Sequence, residues 1–182
     1  MMTLQELSKK YGTDKHNRTM NGMVLGHCYI DKFYTNVFSP LVEEPVKLLE
    51  IGVYHGASVK MWEEYFINGQ ITGIDIDPKF PANSMPCVIT ADAYSTSGLK
   101  HFNDSSFDII IDDGSHILDD QLYVVRNYMR KLKPGGMLII EDIQKIEHIG
   151  ILMAAAGKRR NAVYDLRYAN GRYDDVIIVM YA

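Results

Sequence analysis

Two short polar clusters carry side chains that could do acid–base or metal chemistry. The first is residues 112–116 (DDGSH), and the second is Glu141 with Asp142. Each cluster follows an apolar run, so each is expected at the end of a buried strand. If neighbouring strands bring Asp113, Glu141 and Asp142 together, the three carboxylates would repel one another unless a cation held them. Their oxygen ligands predict Mg²⁺ rather than Zn²⁺, with open positions for two neighbouring substrate oxygens.

His116 follows Asp113 by three residues, in the turn expected before a helix. An alcohol hydroxyl is a poor nucleophile at neutral pH. A bound metal lowers its pKa, and a nearby imidazole can accept its proton. We therefore interpret His116 as a general base and Asp113 as a catalytic residue that acts through the metal. The alternative is that His116 caps the following helix.

A second chemical signal follows the first apolar run, where Glu50 is followed by Gly52, Gly56 and Ser58. Glycines after a first strand let a ligand approach the backbone, and the next helix offers free N–H groups. A dinucleotide fingerprint needs G-x-G-x-x-G. This loop instead has two glycines four residues apart, with an acid before them.

Apolar runs that alternate with helical patterns must position these residues. Such alternation indicates a parallel sheet covered on both faces, with functional residues beyond the carboxyl ends of its strands. The predicted strands cover residues 46–52, 71–77, 87–92, 107–113 and 137–142, and the predicted helices cover residues 3–10, 30–38, 59–66, 118–132 and 146–156. The run Lys133-Pro134-Gly135-Gly136 is expected to end the fourth of these helices.

Two further strands, residues 162–168 and 176–181, flank Asn170-Gly171. This dipeptide is typical of a hairpin turn, so the last two strands are predicted to be antiparallel. We expect a single domain over residues 1–182. Within it, residues 1–45 would form an N-terminal helical lid or substrate segment, and residues 46–182 a Rossmann-like core.

Length, charge and cysteine content exclude several classes of protein. The 182 residues are typical of one domain, and a net charge of -4 argues against a nucleic-acid partner. Cys28 and Cys87 show no paired spacing, which fits a reducing compartment rather than a disulfide framework or a zinc site. No signal peptide or membrane-length apolar run is visible. We expect a soluble cytoplasmic protein with no membrane partner, and a homo-oligomer stays open.

The acid-x-Gly-x-x-x-Gly loop, Asp75, Asp92 and the Lys-Pro-Gly-Gly run together resemble class I S-adenosylmethionine-dependent methyltransferases. The resemblance covers residues 46–181. It implies a three-layer Rossmann-like α/β fold whose seven-stranded sheet has the order 3-2-1-4-5-7-6, with strand 7 antiparallel. It also implies S-adenosylmethionine as cofactor, with Asp75 at the ribose, Asp92 at the adenine and Asp112 nearer the methionine portion. The cofactor-binding residues implied are Thr13, Lys15, Glu50, Gly52, Gly56, Ser58, Asp75, Asp92 and Asp112. The donor is a sulfonium cation, which an acidic cleft suits.

The Asp-Gly-Ser-His and Glu-Asp clusters resemble one branch, the Mg-dependent sugar O-methyltransferases of macrolide and cell-surface glycan biosynthesis. That resemblance implies Asp113, Glu141 and Asp142 as Mg²⁺ ligands, His116 as base, and a sugar or glycan acceptor. The catechol-type branch also uses Mg²⁺ but has a different ligand pattern. Because the longer auxiliary regions of macrolide enzymes are missing, we expect a glycan or a smaller sugar rather than a bulky acceptor.

The run Gly12-Thr13-Asp14-Lys15, followed by His27-x-Tyr29 and Tyr34, resembles the lead-in of the same branch. There the turn lies beside the amino-acid end of the donor and helps to close the site. The resemblance implies that Lys15 pairs with the donor carboxylate and that Tyr29 and Tyr34 stack on the sugar or the donor. The alternatives are a solvated surface charge for Lys15 and plain packing for the tyrosines.

The sequence leaves four alternatives to a sugar O-methyltransferase. A catechol-like or other small-molecule O-methyltransferase differs in acceptor. An NAD-dependent nucleotide-sugar oxidoreductase is disfavoured by the missing third glycine and the lack of a Tyr-x-x-x-Lys pair. A non-catalytic module that kept the donor pocket is disfavoured by the intact strand-end acids. Net charge and the lack of an aromatic and basic platform disfavour a nucleic-acid methyltransferase.

Overall fold

A seven-stranded sheet forms the centre of the computed structural model, which describes residues 2–17, 19–21, 23–81 and 84–182. Its strands are β1 (Lys47–Ile51), β2 (Gln70–Asp75), β3 (Val88–Thr90), β4 (Phe107–Asp112), β5 (Leu132–Ile140), β6 (Asn161–Asp165) and β7 (Val176–Tyr181). The order across the sheet is β3-β2-β1-β4-β5-β7-β6. Strands β1 to β5 are parallel, and β7 is antiparallel to both β5 and β6. The predicted fold class and strand order are confirmed. Met1, the first residue of the predicted domain, lies outside the described residues.

Among the described residues, two helices precede β1, and the other five lie between strands of the sheet. The helices are α1 (Leu4–Tyr11), α2 (Thr35–Phe38), α3 (Ala57–Tyr65), α4 (Thr96–Leu99), α5 (Leu118–Tyr128), α6 (Ile146–Ala156) and α7 (Arg167–Asn170). A π-helical turn, Ile30–Tyr34, leads directly into α2, and the short pair Thr19–Met20 and Met23–Val24 forms a separate antiparallel ladder. Across the described segments, no helix is both long and apolar enough to cross a bilayer.

The strands are apolar on both faces because both faces are covered. Leu48, Ile109 and Ile139 lie in the core on one face, together with residues of α1, α2 and α3. Their chain neighbours Leu49 and Ile110 lie in the core on the other face, with α5 and α6. Alternate residues of a strand point to opposite faces, so continuous apolar strands specify a three-layer structure.

The connection between the last two strands differs from the predicted hairpin. Strand β6 ends at Asp165, before the predicted residue 168, and the helical turn α7 follows it. Gly171 ends α7 in the left-handed conformation with φ of 71°. Asn-Gly therefore serves as a helix C-cap here, a role that glycine fills as readily as a hairpin turn. The antiparallel pairing of β6 with β7 holds even though the turn was wrongly predicted.

The Lys-Pro-Gly-Gly run lies inside β5 rather than at the end of a helix. Helix α5 ends earlier, at Tyr128, and a 3₁₀ turn, Met129–Lys131, precedes the strand. The ladder between β4 and β5 is interrupted between Phe107 and Ile109, which is where the run adds extra residues to β5. Proline and glycine are tolerated in a strand at such an irregularity.

The segment before β1 packs into the core. Helix α1 starts with the predicted capping box between Thr3 and Glu6, and Leu4 and Leu7 are buried against the sheet. The π-helical turn and α2 bury large side chains in the same core. This packing carries Lys15 and Tyr29 to the carboxyl end of the sheet, where they meet Asp113 and Asp142, which follow β4 and β5.

Replacing Gly52 with Ala should destabilise the fold more than replacing Gly135. The two φ angles are +84° and +83°, but a Cβ at Gly52 would lie 2.1 Å from the carbonyl oxygen of Asp113, whereas a Cβ at Gly135 would meet nothing within 4 Å. We expect Gly52→Ala to lower the free energy of unfolding by about 2–5 kcal/mol and Gly135→Ala by about 1–2 kcal/mol. Urea denaturation measures both. Equal losses would show that contact with the loop after β4 does not restrict this position.

Candidate active site

A cleft of about 810 Å³ opens at the carboxyl ends of the parallel strands. The loops after β1, β2, β3 and β4 line it, as expected for a sheet of this topology. Predicted site residues that line the cleft are Thr13, Gly52, Ser58, Asp75, Asp92, Asp113, His116 and Asp142. The other predicted site residues lie behind its wall.

Asp75 fixes the glycine-containing loop after β1. Its Oδ2 accepts hydrogen bonds from the backbone N–H groups of Val53 (2.7 Å) and Tyr54 (2.8 Å), and its Oδ1 accepts one from Asp77. Gly56 then begins α3 with φ of 78°. The strand-end carboxylate therefore holds the loop in place while facing the cleft.

Tyr94 is a lining residue that the sequence analysis missed. Its backbone N–H donates to Asp92 Oδ1 (2.9 Å), and its hydroxyl donates to Asp112 Oδ1 (3.0 Å) while accepting from the N–H of Ser115 (3.0 Å). Tyr94 thus joins the ends of β3 and β4. Asp112 itself is buried away from the cleft, its Oδ2 has no partner among the described residues, and burial raises its pKa to about 7. The sequence signal for Tyr94 was its position two residues after Asp92.

Asp113, His116 and Asp142 converge at one side of the cleft. Each offers a ligand atom, and these atoms lie within 4.8 Å of one another. His116 Nε2 is 3.5 Å from Asp142 Oδ2. Both residues adopt positive φ angles, 57° and 55°. Backbone strain of this kind is concentrated at functional sites.

Lys15 is buried among acids rather than exposed to the cleft. Its ammonium donates to Asp113 Oδ2 (2.5 Å) and Glu141 Oε2 (2.6 Å) and lies 3.5 Å from Glu50 Oε1. Burial alone would lower the pKa of Lys15, but attraction to these carboxylates raises it well above its usual value. The contact of Lys15 with a donor carboxylate stays a prediction, and in this structure the side chain is 1% exposed and paired with acids.

Glu141 is not part of the cluster of Asp113, His116 and Asp142, and protein partners bind both of its carboxylate oxygens. Lys15 binds one of its carboxylate oxygens and the Tyr34 hydroxyl donates to the other. Burial raises the pKa of Glu141 well above its usual value. From the sequence, a metal ion was predicted to hold three carboxylates together. In the structure, the cation between Glu141 and Asp113 is the ammonium of Lys15.

Tyr29 and Tyr34 lie in the interior and do not line the cleft. Both are fully buried, which favours the alternative that they pack in the interior, and stacking on a sugar or on the donor stays a prediction. Tyr29 donates to Asp142 Oδ1 at 2.5 Å, and Tyr34 donates to Glu141. Each phenol thus orients one carboxylate of the Glu-Asp pair.

Glu50 is buried at the end of β1. Its carboxylate accepts hydrogen bonds from Ser58 (2.8 Å) and from the indole N–H of Trp62 (3.3 Å). Burial raises the pKa of Glu50 to about 7. Its role in this structure is to link β1, α3 and Lys15 rather than to line the cleft.

The charge balance of the site fits a divalent cation. Glu50, Asp113 and Glu141 surround Lys15, and Asp142 offers an oxygen within 4.8 Å of Asp113, so carboxyl groups outnumber this ammonium. Burial raises the pKa of Asp142. Among described residues, the second oxygen of Asp113 receives no hydrogen bond, and Asp142 turns its Oδ2 toward His116. Two carboxylate oxygens are therefore free to bind a hard cation such as Mg²⁺.

The chain belongs to a family of methyltransferase domains, whose pattern matches residues 49–143. This match covers the end of β1, the cleft loops and the Glu-Asp pair. It is at odds with the alternative of an NAD-dependent oxidoreductase.

Several known proteins are similar to this chain. An 8-demethyl-8-alpha-L-rhamnosyl tetracenomycin-C 2'-O-methyltransferase from Streptomyces olivaceus is 34% identical over 61% of this chain and 32% of its own length. A mycinamicin VI 2''-O-methyltransferase from Micromonospora griseorubida is 31% identical over 77% of this chain and 36% of its own. The chain thus spans about a third of the length of these curated relatives. The structure of MycE methyltransferase from the mycinamycin biosynthetic pathway, in complex with Mg and SAH, has a TM-score of 0.73 at 24% identity, covering 98% of this chain and 54% of that one, and shows the shared fold.

Removing the buried ammonium should destabilise the protein strongly. Lys15→Met leaves Asp113, Glu141 and Glu50 uncompensated, and we expect a loss of about 3–5 kcal/mol in the free energy of unfolding at pH 8. The loss should shrink at pH 5.5, because the raised pKa values of Glu50 and Glu141 let these two acids hold protons. Urea denaturation at both pH values measures it. Lys131→Met is the control, because its partner Asp104 is 60% exposed and stays solvated. Equal losses for the two variants would contradict the arrangement.

The raised pKa of Glu50 predicts that stability falls as pH rises. Because the pKa of Glu50 is about 7 in the folded state and about 4.5 for an unperturbed glutamate, the native protein binds more protons than the unfolded chain between these values. The stabilisation is complete below pH 4.5 and is lost as pH rises through 7, at up to about 1.4 kcal/mol for each pH unit. Denaturation from pH 5 to 8 should show a shallower slope in Glu50→Gln. Glu64→Gln, at an exposed site, should keep the original slope. An unchanged slope in Glu50→Gln would refute the assignment.

Proposed function

We propose that this protein transfers a methyl group from S-adenosylmethionine to a hydroxyl of a sugar, with a divalent ion, Mg²⁺, bound beside the donor. The observation that carries the proposal is the position of Asp113, His116 and Asp142 on one side of a cleft whose other walls include Asp75 and Asp92. A donor and an acceptor can therefore meet in one enclosed space.

The cleft suits the donor in size and in charge. Its volume of about 810 Å³ lies within the range of small-molecule sites, about 300–1,000 Å³. The resemblance assigns the ribose to Asp75 and the adenine to Asp92. The remaining residues it assigns line the cleft or lie behind its wall: Thr13, Lys15, Glu50, Gly52, Gly56, Ser58 and Asp112. Acidic walls favour a sulfonium cation over a dinucleotide phosphate.

We propose Asp113 and Asp142 as the ligands that hold the ion, because each keeps one carboxylate oxygen for it. Glu141 is the third carboxylate of the proposed set. Its oxygens accept hydrogen bonds from Lys15 and Tyr34 in this structure, so the ion would have to compete with the ammonium for an oxygen of Glu141. When bound, Mg²⁺ lowers the pKa of a coordinated hydroxyl and orients neighbouring oxygens.

In this proposal His116 is the base that accepts the proton of the acceptor hydroxyl. The hydroxyl oxygen forms a bond to the methyl carbon, the bond between carbon and sulfur breaks, and the sulfur keeps the electron pair. The proton passes to the imidazole of His116. Asp142, 3.5 Å from His116 Nε2, stabilises the imidazolium that forms.

The sugar acceptor is supported by the relatives as well as by the site. The Streptomyces olivaceus relative methylates an oxygen of a rhamnosyl compound, and a third relative, from Streptomyces antibioticus and 28% identical, is an L-olivosyl-oleandolide 3-O-methyltransferase. Adjacent sugar hydroxyls could both bind a metal with open positions. A glycoside is therefore the acceptor class that we propose.

Methyl transfer should depend on the metal and on His116. Assays of a panel of glycosides with S-adenosylmethionine should lose activity with EDTA and regain it with Mg²⁺. We expect His116→Asn to lower kcat by about 10²–10⁴-fold, because proton transfer is lost, with donor affinity unchanged by calorimetry.

His101→Asn, at an exposed histidine outside the cleft lining, is the matched control and should keep full activity. Activity that survives both EDTA and His116→Asn would overturn the mechanism. Methylation of catechols in preference to glycosides would overturn the acceptor class.

A further inference from the structure

Asp142 uses its two carboxylate oxygens for different purposes. Oδ1 accepts a hydrogen bond from the hydroxyl of Tyr29 at 2.5 Å and lies 3.4 Å from Nδ1 of His27. Both of these partners are buried. Oδ2 lies 3.5 Å from Nε2 of His116, in the candidate site. One oxygen is thus anchored in the protein and the other is presented to the cleft.

Behind Tyr29 lies a buried pair that the sequence analysis left without a role. His27 Nδ1 is 2.6 Å from Oδ1 of Asp175, which is fully buried. An ionised carboxylate only accepts hydrogen bonds, so Nδ1 carries the proton and donates it. The imidazole then stacks on the Tyr29 ring, with 4.7 Å between centroids and 22° between planes. A continuous contact path therefore runs from Asp175 through His27 and Tyr29 to Asp142.

The same pair could be mistaken for a second metal site. His27, Asp174 and Asp175 offer ligand atoms within 4.8 Å of one another. Arg172 already contacts both acids: its Nη2 is 3.3 Å from Asp174 Oδ2, and its Nε is 3.5 Å from Asp175 Oδ1. Arg172 already supplies a cation, and the His27 Nδ1 proton is donated to Asp175. We therefore interpret this cluster as one that orients His27 rather than one that binds an ion.

Asp142 needs external support because of its backbone. It follows β5 directly and adopts φ of 55°, a conformation that a non-glycine residue holds only when its surroundings impose it. Carboxylates that bind metals are generally oriented by hydrogen bonds from residues behind them, and loss of those partners weakens metal binding.

We propose that Asp175, His27 and Tyr29 are positioning residues that hold the Asp142 carboxylate with Oδ2 toward the divalent ion. The proposal rests on the metal site in the proposed function. It assigns Tyr29 to the orientation of Asp142, and it gives His27 and Asp175 a role that none of the sequence motifs indicated.

The test is a calorimetric titration of the full chain with Mn²⁺ as the probe ion. Tyr29→Phe keeps the ring and its stacking but removes the hydroxyl that holds Asp142 Oδ1. We expect Mn²⁺ affinity to fall about 10–100-fold, with affinity for S-adenosylhomocysteine unchanged. Tyr65→Phe removes a hydroxyl from another buried tyrosine, which packs edge-on against Phe66, and should leave Mn²⁺ affinity unchanged.

A second variant, His27→Asn, removes the stacked imidazole and should weaken Mn²⁺ binding by a similar factor. The double variant should lose no more affinity than Tyr29→Phe alone, because both act on one carboxylate. Thermal unfolding checks that each variant is folded, and His27→Asn carries the test if Tyr29→Phe is not.

Three results would overturn the inference. Normal Mn²⁺ affinity in the folded variants would refute the positioning role and leave the proposed function intact. Two bound ions per chain, reduced to one by His27→Asn, would make the cluster a metal site. Absence of Mn²⁺ binding in the unaltered protein would remove the metal from the proposed function and the inference with it.

Discussion

The buried ammonium of Lys15 is the interaction on which the site depends. An isolated charge is costly to bury, and so is a carboxylate without a partner. The ammonium donates to Asp113 and Glu141 at 2.5 and 2.6 Å. These contacts connect a segment near the start of the chain to the ends of β4 and β5. Lys15 pairs with an acid after each of two strands. If the loops after those strands moved apart, a buried ammonium or carboxylate would lose its partner.

The acids of the Glu-Asp pair are made unequal by the tyrosines behind them. Glu141 is held on both oxygens, by Lys15 and by Tyr34. Asp142 is held on one oxygen by Tyr29, and its other oxygen faces His116. The two adjacent acids therefore differ in role: Glu141 takes part in the buried ion pair with Lys15, and Asp142 faces the cleft.

The sequence was informative wherever a feature depended on local pattern. Continuous apolar strands required a covered parallel sheet, and the carboxyl ends of such strands meet at one edge. That is why Asp75, Asp92, Asp113 and Asp142 were all predicted at a common site and are all found in the cleft wall. The role of Lys15 could not be predicted in this way, because its partners lie 98 and 126 residues further along the chain. For the Asn-Gly dipeptide the pattern was ambiguous, since the same residues end a helix or turn a hairpin.

The long separation between Lys15 and Glu141 also bears on how the protein is made. Contacts between residues so far apart in the chain require a long loop to be closed, which slows folding. During synthesis, Lys15 emerges well before β5 exists, so the early chain must leave this ammonium hydrated. The geometry of the candidate site is thereby linked to completed folding, because a chain without β5 lacks one of the acids that pair with Lys15.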